Sequence, residues 1–152
     1  MRKIWNTLVA LLLCSGRSFA VDLDGAVYDD ASPEAIAQND RAVQRSLDAL
    51  PIQGGTIDLR DGALHISKQI KNPVRYQGPP GAPGYFPINF GIVGKTCSRI
   101  VFHATGNGTA IHFAPAHPAL YTDGDLRLKL CSFTLEGGGI ECSGGGKLTE
   151  LR

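Results

Sequence analysis

Alternation of apolar and polar positions dominates the chain from residue 54 to residue 142. Ile57 and Leu59 alternate with Thr56, Asp58 and Arg60, the period-two pattern of a half-buried strand. Asp61-Gly62 turns the chain, and Leu64 and Ile66 then alternate with His65 and Ser67. Residues 91–94, 99–103 (Ile100 and Phe102 inward) and 110–113 (Ile111 and Phe113 inward) continue the series, with the turn dipeptide Asn107-Gly108 before the last of them. Upstream the period changes. Val43, Leu47 and Leu50 fall at i, i+4 and i+7, Ala42 and Ala49 widen the stripe, and Arg41, Gln44, Arg45 and Asp48 form a wet face. This spacing predicts a short helix with Asn39 or Asp40 as its N-cap. Pro51 ends it, because the residue before a proline is pushed out of the helical region. Residues 21–38, polar and containing Asp29-Asp30 and Ser32-Pro33, read as an irregular lead-in.

Residues 126–136 show a change of parity. Leu126, Leu128 and Leu130 are even-numbered, whereas Cys131, Phe133 and Leu135 are odd-numbered. Side chains alternate strictly along one strand, so a corner or bulge is expected near Leu130-Cys131. Gly137-Gly138-Gly139 turns, and Ile140 and Cys142 restart the inward pattern. Residues 78–87 (GPPGAPGYFP) are too rich in proline for a regular element and read as a surface loop. Tyr85 and Phe86 in it either pin the loop to the body, the favoured reading, or stack on a sugar ring.

The first 20 residues have a basic start (Arg2, Lys3), an apolar run at 8–14 and a Ser18-Phe19-Ala20 ending. These are the parts of a signal peptide cut after Ala20, and the apolar run is too short to span a bilayer. Lipidation at Cys14 is disfavoured because leucines, not a small residue, precede it. The leader carries three cations (Arg2, Lys3, Arg17) and no acid, so its removal lowers the formal charge of +1 by three, to −2. An exported, slightly acidic chain with scattered Arg and Lys lacks the basic patch that nucleic acid or an anionic membrane requires. The expected location is secreted or periplasmic.

Three cysteines follow the leader: Cys97, Cys131 and Cys142. Export permits disulfides, but an odd count leaves a thiol over. Buried thiols in apolar strands are the favoured reading for Cys131 and Cys142, and a bridge between them is the alternative. No His or Cys spacing matches a zinc site. Asp123 and Asp125 flank Gly124; this is read as a plain turn, because calcium needs six or more oxygen ligands. His103 and His112 point outward on the strand pattern, as do Thr56, Asp58, Arg60 and His65. Each could line a groove, although exposed strand residues without a role are commoner. Asn107-Gly108-Thr109 has the form of a glycosylation acceptor, and is read as a turn.

Taken in order, the helix, the stop, Gly54-Gly55 and two short strands resemble the N-terminal signature of the pectate lyase superfamily, in its rhamnogalacturonase- and epimerase-like branch. Members open with D-D-T-x-A-I-Q-x-A-L-D-A and continue G-G-T-V-x-L-P-x-G-x-Y-x-I-S. Here Asn39-Asp40, Val43-Gln44 and Leu47-Asp48-Ala49 match the helix. Gly54-Gly55-Thr56-Ile57-Asp58-Leu59 matches the first strand, and Leu64-His65-Ile66-Ser67 the second. Asp61-Gly62 replaces the usual P-x-G, Ile92-Val93-Gly94 resembles the following I-x-G, and residues 130–138 (LCSFTLEGG) resemble a later rung. The resemblance implies an all-β fold: a right-handed parallel β-helix, a single-stranded solenoid, with a short N-terminal capping helix. Its organisation would be a signal peptide at 1–20, a lead-in at 21–38 and N-terminal coils at 39–152. Family domains run on for several more coils, and residues 144–152 lack the bulk of a closing cap, so a truncated product or a gene fragment is expected.

The resemblance also implies an exported protein acting on a pectin-like acidic polysaccharide, by lyase or hydrolase chemistry. Working residues of such enzymes lie on later coils, and this chain has no paired Asp motif, no G-H-G and no R-x-x-P-x-x-R. Catalytic and substrate-binding residues therefore stay unassigned, and no metal site or cofactor is expected here, although full-length lyase relatives use calcium. The alternative is a non-catalytic glycan-binding, adhesin or tailspike-like module. A small independent β-sandwich is the third reading.

Overall fold

The computed structural model describes residues 19–51, 54–72, 88–104, 108–113, 126–142 and 147–151. The leader up to Ser18, Tyr85, Phe86, Asn107, Asp123 and Asp125 lie outside them. The described chain is mostly strand, with one helix. In order the elements are β1 (Ala20–Asp22), α1 (Pro33–Ala49), β2 (Gly54–Asp58), β3 (Gly62–Ile66), β4 (Ile70–Lys71), β5 (Ile88–Val93), β6 (Ser98–Phe102), β7 (Thr109–Phe113), β8 (Leu126–Cys131), β9 (Thr134–Glu136), β10 (Gly139–Cys142) and β11 (Lys147–Leu151).

The strands form three sheets, ordered β1-β2-β5-β8-β11, β3-β6-β9 and β4-β7-β10, and the ladders between these strands are all parallel. From β2 onward the chain visits the sheets in rotation, and each strand pairs with the one that occupied its sheet a circuit earlier. Equivalent residues therefore stack in rows. Ile57, Ile92 and Leu130 align in the first sheet, Leu64, Ile100 and Leu135 in the second, and Ile70, Ile111 and Ile140 in the third. All but Leu135 and Ile140 are buried. Burying such side chains contributes about 1.5–3 kcal/mol each. Phe90 and Phe113 fill the interior between the first and third sheets, their rings stacked with centroids 6.5 Å apart.

The expected corner is present. β8 ends at Cys131, Ser132 takes a left-handed φ of 62°, and β9 begins at Thr134. This one residue switches the inward set from even to odd numbers.

The helix begins earlier than the stripe alone suggests. Ser32 is the N-cap, its Oγ accepting from the Ala35 amide at 3.2 Å, and Pro33 and Glu34 open the first turn. Proline fits there because its missing N–H would have no partner in the first turn. Asn39 and Asp40, expected at the cap, lie inside α1 and are buried. The end is as expected: Leu50 is extended, and Pro51 follows. Ala42, Val43, Leu47 and Leu50 enter the core, while Ala49 is exposed and does not widen the stripe. The lead-in is more ordered than expected, since it supplies β1 and a bridge of Tyr28 to Leu64 that runs antiparallel along β3. A cut after Ala20 would fall within β1 and remove the Phe19 carbonyl that accepts from the Thr56 amide at 2.7 Å. Residues 147–151, expected to lack capping bulk, form a strand on the edge of the first sheet.

Tyr28 fastens the lead-in to the first corner of the first circuit. Its hydroxyl accepts from the Arg60 amide at 3.1 Å, and burial pushes the phenol above its ordinary 10.0. A pKa raised by folding gives stability that is fully present below pH 10 and is lost as pH rises through the folded value. Tyr28→Phe is therefore expected to cost about 0.5–1.5 kcal/mol at pH 8, by leaving the amide without its partner. It should also flatten the fall in stability above pH 10. Urea midpoints of both proteins across this range check the prediction, and parallel curves would refute it.

Candidate functional site

Stacked circuits place stacked corners, and a groove runs along the corners between the first and second sheets. Asp61 follows β2, Gly94, Lys95 and Thr96 follow β5, and Ser132 and Phe133 follow β8; Ser98 and Thr134, the first residues of β6 and β9, complete the described lining. The volume is about 720 Å³, within the range of small-molecule sites. Each corner is bonded to the next. The Ser98 hydroxyl donates to the Arg60 carbonyl and accepts from the Lys95 amide, both at 2.7 Å. Asp61 Oδ1 accepts from the Cys97 amide at 2.9 Å, and the Gly94 amide donates to the Cys131 carbonyl at 2.9 Å. Gly94 has no space for a Cβ, which would collide with the Ser132 carbonyl, so glycine is what lets these corners close up.

The lining is polar, with one aromatic face. Asp61, Lys95, Thr96, Ser132 and Thr134 are exposed; Phe133 is half-buried, touching the core while it borders the groove. Such a surface suits a ligand with many hydroxyl groups and an apolar ring face, and Lys95 supplies a cation for a negative one. The Asp61 carboxylate is already engaged in holding the corner. Glycoside hydrolysis uses a pair of carboxylates, and the described lining offers only Asp61.

The outward candidates from the sequence separate in space. Thr56 is buried rather than exposed, its hydroxyl donating to Asp58 Oδ1 at 3.2 Å. Arg60 is exposed beside the groove, but its backbone is committed to Tyr28 and Ser98. His103 does not join His112. It meets His65, with His65 Nδ1 and His103 Nε2 2.9 Å apart, whereas His112 Nε2 lies 3.9 Å from Glu141. Cys131 is buried and free, as the favoured reading had it, so the alternative Cys131–Cys142 bridge is not formed. Cys142, expected in the core, is exposed; its row continues Phe113, but it stands at the open end of that stack. Partial burial pushes its thiol up. Cys97 is exposed and free.

Strand alternation alone does not mark Asp61, Lys95, Ser98 and Phe133 as neighbours in one site. The available signal was the order of turns: residues 61–62, 95–97 and 132–133 each follow an alternating stretch, so they occupy equivalent corners once the circuits stack. Among the described residues, no group of three or more His, Cys, Asp or Glu is placed to hold a metal ion, and no helix is long and apolar enough to cross a membrane. Comparison with protein-family models, with curated proteins and with solved structures gives no match to this chain.

Proposed function

We propose that this chain is an exported carbohydrate-active protein built as a right-handed parallel β-helix of the pectate lyase kind, and that the corner groove receives an acidic polysaccharide. The rotation of strands through three parallel sheets behind one helix carries this reading, because it stacks corners into a continuous polar groove. The helix and Gly-Gly-Thr signature support the same lineage. The chemistry would be lyase or hydrolase cleavage, with the groove contributing a binding surface. A second reading, a non-catalytic glycan-binding or tailspike-like module, draws support from the engaged state of Asp61.

The test is binding of polygalacturonate and of a neutral polysaccharide of similar length, measured by calorimetry at low and high salt. Polygalacturonate is expected to bind more tightly, with affinity falling as salt screens Lys95. Phe133→Ala should weaken binding roughly two- to tenfold, the loss of one aromatic contact worth about 0.5–1.5 kcal/mol. Lys95→Ala should weaken it and reduce the salt dependence. Equal affinity for both polymers, or variants that bind like the parent, would sink the proposal. Unsaturated products released by the chain would favour the lyase form over the binding module.

A further inference from the structure

Thirty-eight positions separate His65 from His103, and only the stacking of circuits brings them together. His65 lies in β3. His103 directly follows β6, the strand paired with β3. Their rings are tilted by 33° with centroids 5.2 Å apart, and the facing nitrogens are 2.9 Å apart at the surface. Both backbones are fixed. The His103 amide donates to the Ile66 carbonyl at 2.8 Å, and the His65 carbonyl accepts from the buried Asn39 side chain at 2.9 Å.

We infer that His65 Nδ1 and His103 Nε2 form a two-imidazole chelate for a divalent first-row cation of the nickel or copper type, bridging adjacent circuits. Both rings are imidazoles, which suit cations of this class, and a right-angle site asks for the least change in the separation of the nitrogens. Two imidazole nitrogens about 2.0–2.1 Å from one cation lie about 2.8–3.0 Å apart at a right angle, but about 3.3–3.4 Å apart at the tetrahedral angle preferred by zinc. The observed 2.9 Å fits adjacent positions of a square or octahedral site. Water fills the remaining positions.

Binding requires little chemistry. In the free pair one ring donates its N–H to the other. When the cation enters, that ring moves its proton to its outer nitrogen through solvent, so both inner lone pairs face the metal. A neutral pair therefore gains two metal–nitrogen bonds, loses one hydrogen bond and releases no proton.

Nickel(II) is the probe, because it does not oxidise Cys97 or Cys142. Calorimetric titration of the full chain should give one site, weakened at least tenfold by His65→Gln and equally by His103→Gln. His112→Gln, on the third sheet, should leave it unchanged. Paramagnetic broadening of the His65 and His103 ring protons in the parent protein, with His112 spared, gives a readout that does not depend on the variants folding. Binding that survives in the double variant, or that depends on His112, overturns the inference. So does a parent protein whose two rings are unaffected by nickel, in which case the pair is a hydrogen bond only.

Discussion

Gly54→Ala is expected to lower the unfolding free energy by about 3–5 kcal/mol, adding the strain of a left-handed residue to the cost of overpacking. Gly54 has a φ of 89°, and a Cβ built on it would run into the backbone carbonyl of Asn89 on β5. A side chain can turn aside, but a paired strand cannot, so β2 and β5 must part at the point where the first two circuits begin to stack. Gly108 is the control. Its φ of 70° is similar, yet no atom lies within 4 Å of the Cβ position. Gly108→Ala should therefore carry the conformational strain alone, about 1–2 kcal/mol. Urea denaturation of the two variants measures the difference. Equal losses would mean that close approach of Asn89 does not matter.

Asp40→Ala is expected to cost a comparable amount, about 3–5 kcal/mol, for a different reason. Asp40 Oδ1 accepts from the amides of Ser67 and Lys68 at 2.9 and 3.0 Å, and Oδ2 accepts from the Ser67 hydroxyl at 2.6 Å. Hydrogen bonds to a charged group contribute about 1.5–3 kcal/mol each, and not additively. The carboxylate ties the middle of α1 to the chain just after β3. Asn39, beside it, is fully buried and joins the Val27 backbone to the His65 carbonyl. Asp40→Ser separates this function from capping. Serine serves well as an N-cap but is too short to span from the helix to Ser67, so it should be nearly as damaging as alanine. Ser32→Ala, which removes the actual cap, should cost only about 1 kcal/mol. If Asp40→Ser is neutral in urea denaturation, Asp40 does not act as a clamp.

These two residues act where the stack begins. Asp40 and the Gly54-Gly55 pair lie where α1, β1 and β5 meet the first circuit. Their roles in this chain are to fasten and to make room, and neither lies in the corner groove. The helix end of the stack is covered by α1 and by the lead-in at Tyr28, whereas at the other end Ile140 keeps 41 % of its surface open in a row that is otherwise buried.

The sequence by itself determined what depends on near neighbours. The stripe of Val43, Leu47 and Leu50 marks a helix, the alternation at Ile57, Ile100 and Ile111 marks inward faces, and the parity change at Cys131 requires the turn made by Ser132. The true start, Ser32-Pro33-Glu34, lies within the stretch read as an irregular lead-in, while Asn39 and Asp40 farther on read as caps. Tertiary structure alone decided which circuit lies on which. That choice converts Asn39 and Asp40 from caps into clamps, buries Thr56, joins His65 to His103 rather than His103 to His112, and lines up Asp61, Lys95 and Phe133 along one groove. The physical reason is range. Periodicity is fixed by the geometry of a single helix or strand, while these contacts depend on parallel register between segments dozens of residues apart, set by the packing of the interior rows.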